Sequence, residues 1–122
     1  MTPSPRALVP MAFVADVRRS IAFYTALGFA LRDTVAAEGD ALRWAYLEHD
    51  NAHLMLARAT DPVIPSQQAV LFYLYFDDIA ATHAQVQALG FDPGPMTYPF
   101  YCPKGEFRVA DPDGYCLMFA HT

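Results

Sequence analysis

Only two cysteines occur in this chain, Cys102 and Cys116, and neither stands in a CxxC pair or behind a secretory leader. They read as reduced thiols, so no disulfide framework holds the fold. Basic residues are also scarce: eight Lys and Arg, scattered along the chain, face thirteen Asp and Glu, for a formal charge of -5. A nucleic-acid partner needs a concentrated basic face, which is missing, whereas a cationic partner suits the balance. No apolar run approaches the roughly 20 residues of a membrane span. The opening Met1-Thr2-Pro3-Ser4-Pro5-Arg6 has no apolar leader core. A cytoplasmic protein with no membrane partner is therefore expected. What the chain does have is 122 residues, enough for a single self-supporting domain, and a 14% share of aromatic residues, so that the placement of the rings becomes the main question.

The chain repeats itself. Val14-Ala15-Asp16-Val17 corresponds to Phe76-Asp77-Asp78-Ile79, Ser20 to Thr82, Ala22 to Ala84, and Leu27-Gly28-Phe29 to Leu89-Gly90-Phe91, at a constant offset of 62 residues. Asp16 and Asp78 can accept hydrogen bonds from the free amides of a helix start. Gly28 and Gly90 can take the left-handed conformation that ends one. Two helices of about three turns are expected between them. Their apolar stripes would be Ile21, Tyr24 and Leu27 in one and Ile79, Val86 and Leu89 in the other. Strand-like runs precede each helix, Ala7 to Val14 and Ala69 to Phe76, and further strands follow from Phe29 and from Phe91.

Each copy ends in a hairpin signal. In the first, Ala41 to Leu47 and Ala52 to Ala59 flank the turn formers Glu48-His49-Asp50-Asn51. In the second, Gly105 to Ala110 and Tyr115 to Ala120 flank Asp111-Pro112-Asp113-Gly114. The expected fold class is α+β: two βαβββ modules, residues 6–59 and 69–121, joined by a linker over 60–68 within one domain. Their sheets would lie side by side as a cup with the helices outside, and a cleft between modules is a natural ligand site.

Two stretches resemble the vicinal-oxygen-chelate superfamily, which includes glyoxalase I, extradiol dioxygenases, fosfomycin-resistance enzymes and bleomycin-resistance proteins. They are Asp16-Val17-x-x-Ser20-x-x-Phe23-Tyr24-x-x-Leu27-Gly28-Phe29 and Glu106-Phe107-x-x-x-Asp111-Pro112-Asp113-Gly114-Tyr115. The resemblance implies metal-ligand positions on the first and last strand of each module, here Val9, Met55, Leu71 and Met118. None offers the His, Glu or Gln that the family's metals require. No metal and no cofactor is expected. The four positions are partners under the internal repeat and form an apolar floor.

Side chains alternate across strands, so these positions fix their neighbours. Facing the cleft would be Met11 and Phe13, Tyr73 and Tyr75, His53 with Met55, and Cys116 with Met118. If Leu47 pairs with Ala52, then Tyr46 opposes His53 and Trp44 opposes Met55; in the second hairpin Val109 would oppose Cys116 and Phe107 would oppose Met118. Any one of these rings is most simply core. Three tyrosines, a Trp and a His together carry more polar tips than a closed core usually holds. His53 could present a ligand contact or be satisfied by Tyr46. Glu106, opposite in face to Phe107, is assigned a surface or structural role, and Cys116 that of an inert thiol. The proline-rich stretch Pro93 to Lys104 has the length of a binding loop or lid, and it supplies Tyr98, Phe100 and Tyr101 as stacking rings.

The expected function is that of a metal-free binding protein of the bleomycin-resistance type, sequestering a small aromatic or cationic molecule without catalysis. The binding set is Phe13, Trp44, Tyr46, His53, Met55, Tyr73, Tyr75, Tyr98, Phe100, Tyr101, Phe107 and Met118. Bleomycin-resistance proteins carry Trp-Gly and Arg-Glu-Phe where this chain has Pro103-Lys104-Gly105-Glu106-Phe107, which argues against bleomycin itself as the guest. The competing readings are a metal-free enzyme moving a proton through His53, Tyr73 or Tyr75, and a subunit whose concave face packs on a partner. The resemblance also implies a homodimer.

Overall fold

The computed structural model describes residues 2–122, and the chain forms two compact units, Met1–Val63 and Ile64–Thr122. The first holds β1 (Met11–Val14), α1 (Val17–Ala26), β2 (Ala30–Ala36), β3 (Leu42–His49) and β4 (Ala52–Arg58). Its sheet has the order β1-β4-β3-β2, with β1 parallel to β4. The second opens on a short 3₁₀ turn, Pro65–Gln67, and continues with β5 (Leu71–Phe76), α2 (Ile79–Ala88), β6 (Glu106–Ala110) and β7 (Cys116–His121). Here the order is β5-β7-β6, with β5 parallel to β7. The class is α+β, as the repeat implies. Among the described residues no helix is long and apolar enough to cross a membrane.

Local chemistry explains the helix ends. The Asp16 side chain accepts from the Arg19 amide at 3.2 Å and Asp78 from the Ala81 amide at 3.0 Å. Each cap satisfies an otherwise orphaned donor and is worth about 1 kcal/mol. At the other ends Gly28 and Gly90 have positive φ, and the Phe29 and Phe91 amides return to the carbonyls of Tyr24 and Val86. The buried faces match the expected stripes in part. Helix α1 buries Val17, Ser20, Phe23 and Tyr24 and leaves Ile21 and Leu27 half-buried; α2 buries Ile79 and Val86 while Leu89 is exposed. Ser20 is small enough to be fully enclosed beside those rings, a signal that a search for large apolar residues passes over.

The strand expected after Phe91 shrinks to one bridge, Thr97 to Glu106, flanked by a bond from the Gly94 amide to the Arg108 carbonyl. Pro93, Pro95 and Pro99 lack the amide hydrogens a continuous ladder needs. The segment therefore follows β6 without becoming a strand.

Both hairpins form, in registers other than those expected. In the first, His49 pairs with Ala52 around a two-residue turn in which Asp50 takes φ +49. Tyr46 now opposes Met55 and Trp44 opposes Ala57. This is a shift of two residues, so every side chain keeps its face. In the second, Ala110 pairs with Cys116, Val109 with Leu117 and Phe107 with Phe119, a shift of one, which turns β6 over. The cause is the turn. Asp111 and Tyr115 close a three-residue loop, with the Gly114 amide bonded to the Asp111 carbonyl and Gly114 at φ +84. Asp111 Oδ1 takes the amides of Asp113 and Tyr115, each at 2.9 Å. An odd loop ending in a left-handed glycine is a standard hairpin solution.

Candidate functional site

In the first unit one sheet face packs under α1 and the other is open. Val14, Ala45, Leu47 and Leu56 are fully buried, whereas their alternating neighbours Met11 and Phe13 are exposed. On the open face the cross-strand rows run Met11, Met55, Tyr46 and Phe13, Ala57, Trp44. Five expected binding residues, Phe13, Trp44, Tyr46, His53 and Met55, thus share one face. Tyr46 Oη lies 2.9 Å from His53 Nδ1, and Glu48 Oε2 stands 3.7 Å from the same nitrogen. His53 is satisfied by Tyr46, one of the two readings the sequence left open. The carboxylate beside it comes from the register shift, which sets Glu48 directly opposite His53. Glu48 in turn pairs with Arg32 at 2.6 Å, the residue where the β2 register slips.

The second unit repeats these rows with different chemistry. They run Tyr73, Met118, Arg108 and Tyr75, Ala120, Glu106. Tyr73 and Tyr75 stack with ring centres 6.0 Å apart. Over this face opens a cavity of about 370 Å³. Its floor comes from Leu71, Tyr73 and Met118, and β6 supplies Glu106, Phe107 and Arg108. The proline-rich segment closes the remaining side through Gly94, Pro95, Thr97 and Tyr101. Phe100, 95% exposed, stands edge-on to Tyr101, and Tyr98 is exposed close to Gly105. Tyr73, Tyr101, Phe107 and Met118 are therefore brought to one cavity, with Tyr75 on the same face; Tyr98 and Phe100 are not part of its lining.

Two assignments are corrected by the turned strand. Phe107 does not share a face with Met118. Although it borders the cavity, its ring is 1% exposed and packs against His83 at 4.7 Å and Phe119 at 5.0 Å. Glu106 is not a surface residue: it is 4% exposed and faces the cavity. The Tyr101 hydroxyl donates to Glu106 Oε2 at 3.2 Å, while Oε1 has no hydrogen-bond partner among the described residues. Gly94, Pro95 and Thr97 join the lining from the proline-rich stretch expected to be a binding loop, though not named singly there, and Arg108 joins it as well, which only a correct register for β6 would have revealed. The two thiols are free; Cys102 donates to the Gly105 carbonyl at 3.2 Å.

Tyr101 feels this environment. Its phenol is held above the usual value of 10.0, first by desolvation, then by the hydrogen bond to Glu106 and that group's charge, with Tyr73 adding a smaller push. The neutral phenol is the form that donates, so the contact is complete below about pH 10 and is lost as pH rises through the raised folded-state value. The difference in alkaline absorbance titration between wild type and Y101F is expected to show a midpoint above that of free tyrosine. A midpoint at or below it would refute the contact.

The four positions at which the resemblance implies metal ligands carry Val9, which precedes β1, and Met55, Leu71 and Met118. In the structure Met55 pairs with Met11, Leu71 with Cys116 and Met118 with Tyr73. Thioethers and aliphatic groups do not fit a hard divalent ion. Among the described residues no three His, Cys, Asp or Glu side chains gather as a donor set.

Known structures share this architecture. A bleomycin-binding protein crystallised with bleomycin is 20% identical, with a TM-score of 0.75 over 97% of this chain and 99% of its own. A bleomycin resistance determinant encoded on transposon Tn5 is 19% identical, with a TM-score of 0.77 over 97% and 98%. TnmS3, an antibiotic binding protein from Streptomyces sp. CB03234, is 18% identical, with a TM-score of 0.76 over 99% and 98%. At such identities the likeness is one of fold. A comparison with curated proteins gave no match. Residues 7–119, which hold both helix caps and both hairpins, match the family model, and the chain belongs to the glyoxalase/bleomycin resistance protein/dioxygenase superfamily.

Proposed function

We propose that the chain is a binding protein that sequesters a planar aromatic small molecule. The observation that carries this reading is the cavity of about 370 Å³ flanked by Tyr73 and Tyr101, beside the stacked Tyr73 and Tyr75 pair. Its volume lies within the roughly 300–1,000 Å³ of small-molecule pockets. Leu71, Tyr73, Tyr75 and Tyr101 are all more than 40% exposed, and rings left open to water gain from any flat guest that covers them. Each stacking contact adds about 0.5–1.5 kcal/mol beyond the area it buries. The open face of the first unit, with Phe13, Trp44 and Tyr46, offers a second aromatic surface, and Met55 and Met118 adapt to irregular outlines. Sequestration requires no catalytic residue, and none is assigned. The antibiotic and bleomycin ligands of the fold relatives make compounds of that kind reasonable guests to try first.

Calorimetric titration with a panel of planar heteroaromatic antibiotics and dyes is expected to give saturable binding, weakened about tenfold by Y73A, roughly 1.4 kcal/mol. Trp44 fluorescence in the same titration reads participation of the first unit. The stoichiometry, set beside sedimentation, tests the homodimer that belongs to this proposal. A folded protein that binds no member of the panel would sink the reading.

A further inference from the structure

A carboxylate oxygen shut away from water and left without a donor is costly, and more so when the group is ionised. Glu106 Oε1 is such an atom. The residue is 4% exposed, it lines the cavity, and this oxygen has no hydrogen-bond partner among the described residues. The other oxygen is taken by the Tyr101 hydroxyl at 3.2 Å, which holds the carboxylate in place. The nearest cations along the chain do not answer it. Among the described residues neither Lys104 nor Arg108 forms an ion pair with Glu106, and both are exposed.

We propose that Glu106 is the recognition point for a protonated nitrogen on the guest, so that this cavity selects aromatic amines over neutral rings of the same shape. The proposal rests on the binding reading above and deepens it. A protonated amine brings an N–H donor and a compensating charge together, which is the pairing a buried carboxylate requires. Tyr73 and Tyr101 then offer ring faces to the same cation. The acidic balance of the chain, thirteen Asp and Glu to eight Lys and Arg, favours the approach of such a guest.

The test uses two matched pairs of probes: 9-aminoacridine, protonated at neutral pH, with uncharged acridine, and tryptamine with indole. Hydrogen bonds to charged groups exceed those between neutral ones, so wild type is expected to hold the protonated member of a pair about ten- to a hundred-fold more tightly. E106Q preserves the shape and removes the charge; its preference between the members of a pair should fall to about threefold or less. The urea midpoint of the variant reports its folding separately, and the wild-type comparison stands without it. Rings that bind with no preference in wild type, or a preference that survives E106Q, would overturn the role of Glu106 and leave the aromatic site intact. If none of the four probes binds the folded wild type, both proposals fall.

Discussion

Replacing Gly114 with alanine is expected to destabilise the protein by about 3 kcal/mol or more. Two costs add. Gly114 has φ +84, a conformation that costs an L residue roughly 1–2 kcal/mol. The new Cβ would also lie 2.4 Å from Pro65 Cβ and 2.6 Å from Pro65 Cα. No rotamer change relieves a contact with backbone, so the 3₁₀ turn or the hairpin must move, and overpacking of this kind costs about 1–3 kcal/mol. Gly90 separates the two costs. It has φ +88, and a Cβ added there would meet nothing within 4 Å, so G90A carries the conformational cost alone. Urea unfolding of both variants, read as midpoint shifts at unchanged slope, should show G114A well below G90A. Equal midpoints would mean that Pro65 does not rest on the turn.

A second large effect is expected at Phe107. If its ring belongs to the core, as the contacts with His83 and Phe119 indicate, F107A should cost about 3–5 kcal/mol and F107L under about 1.5 kcal/mol. Guest affinity in F107L should remain at the wild-type level. The alternative pairing, with Phe107 across from Met118, predicts the reverse: small stability losses and a marked fall in affinity. One pair of unfolding and titration measurements therefore decides the register of the second hairpin.

The helix caps and the existence of both hairpins were legible in the sequence because each is set within a few residues, and the repeat was legible because those local signals recur 62 residues on. Asp16 needs only the amide of Arg19. Register is a different quantity. It depends on how many residues the turn contains, and Asp111-Pro112-Asp113-Gly114 is compatible with both an even and an odd loop. The difference lies in whether Asp111 also pairs with Tyr115, which its backbone and side chain together achieve. From that one residue follow the burial of Phe107 and the appearance of Glu106 and Arg108 in the cavity. The first hairpin erred by an even number, so Trp44, Tyr46, His53 and Met55 still share the open face. The strand after α2 was lost for a reason visible in the sequence, since its prolines mark the missing donors.

The matched rows of the two units have a consequence for their history. Glu106 occupies in one copy the place that Trp44 holds in the other, and Arg108 the place of Tyr46. The second turn is one residue longer, yet the strands around it keep their faces: Ala45 and Phe107 are both buried, while Trp44 and Glu106 both lie on the opposite side. The extra residue is absorbed in the turn, so the contrast comes from substitution alone. One copy then presents aromatic rings and the other ionised groups, and two like halves offer unlike faces.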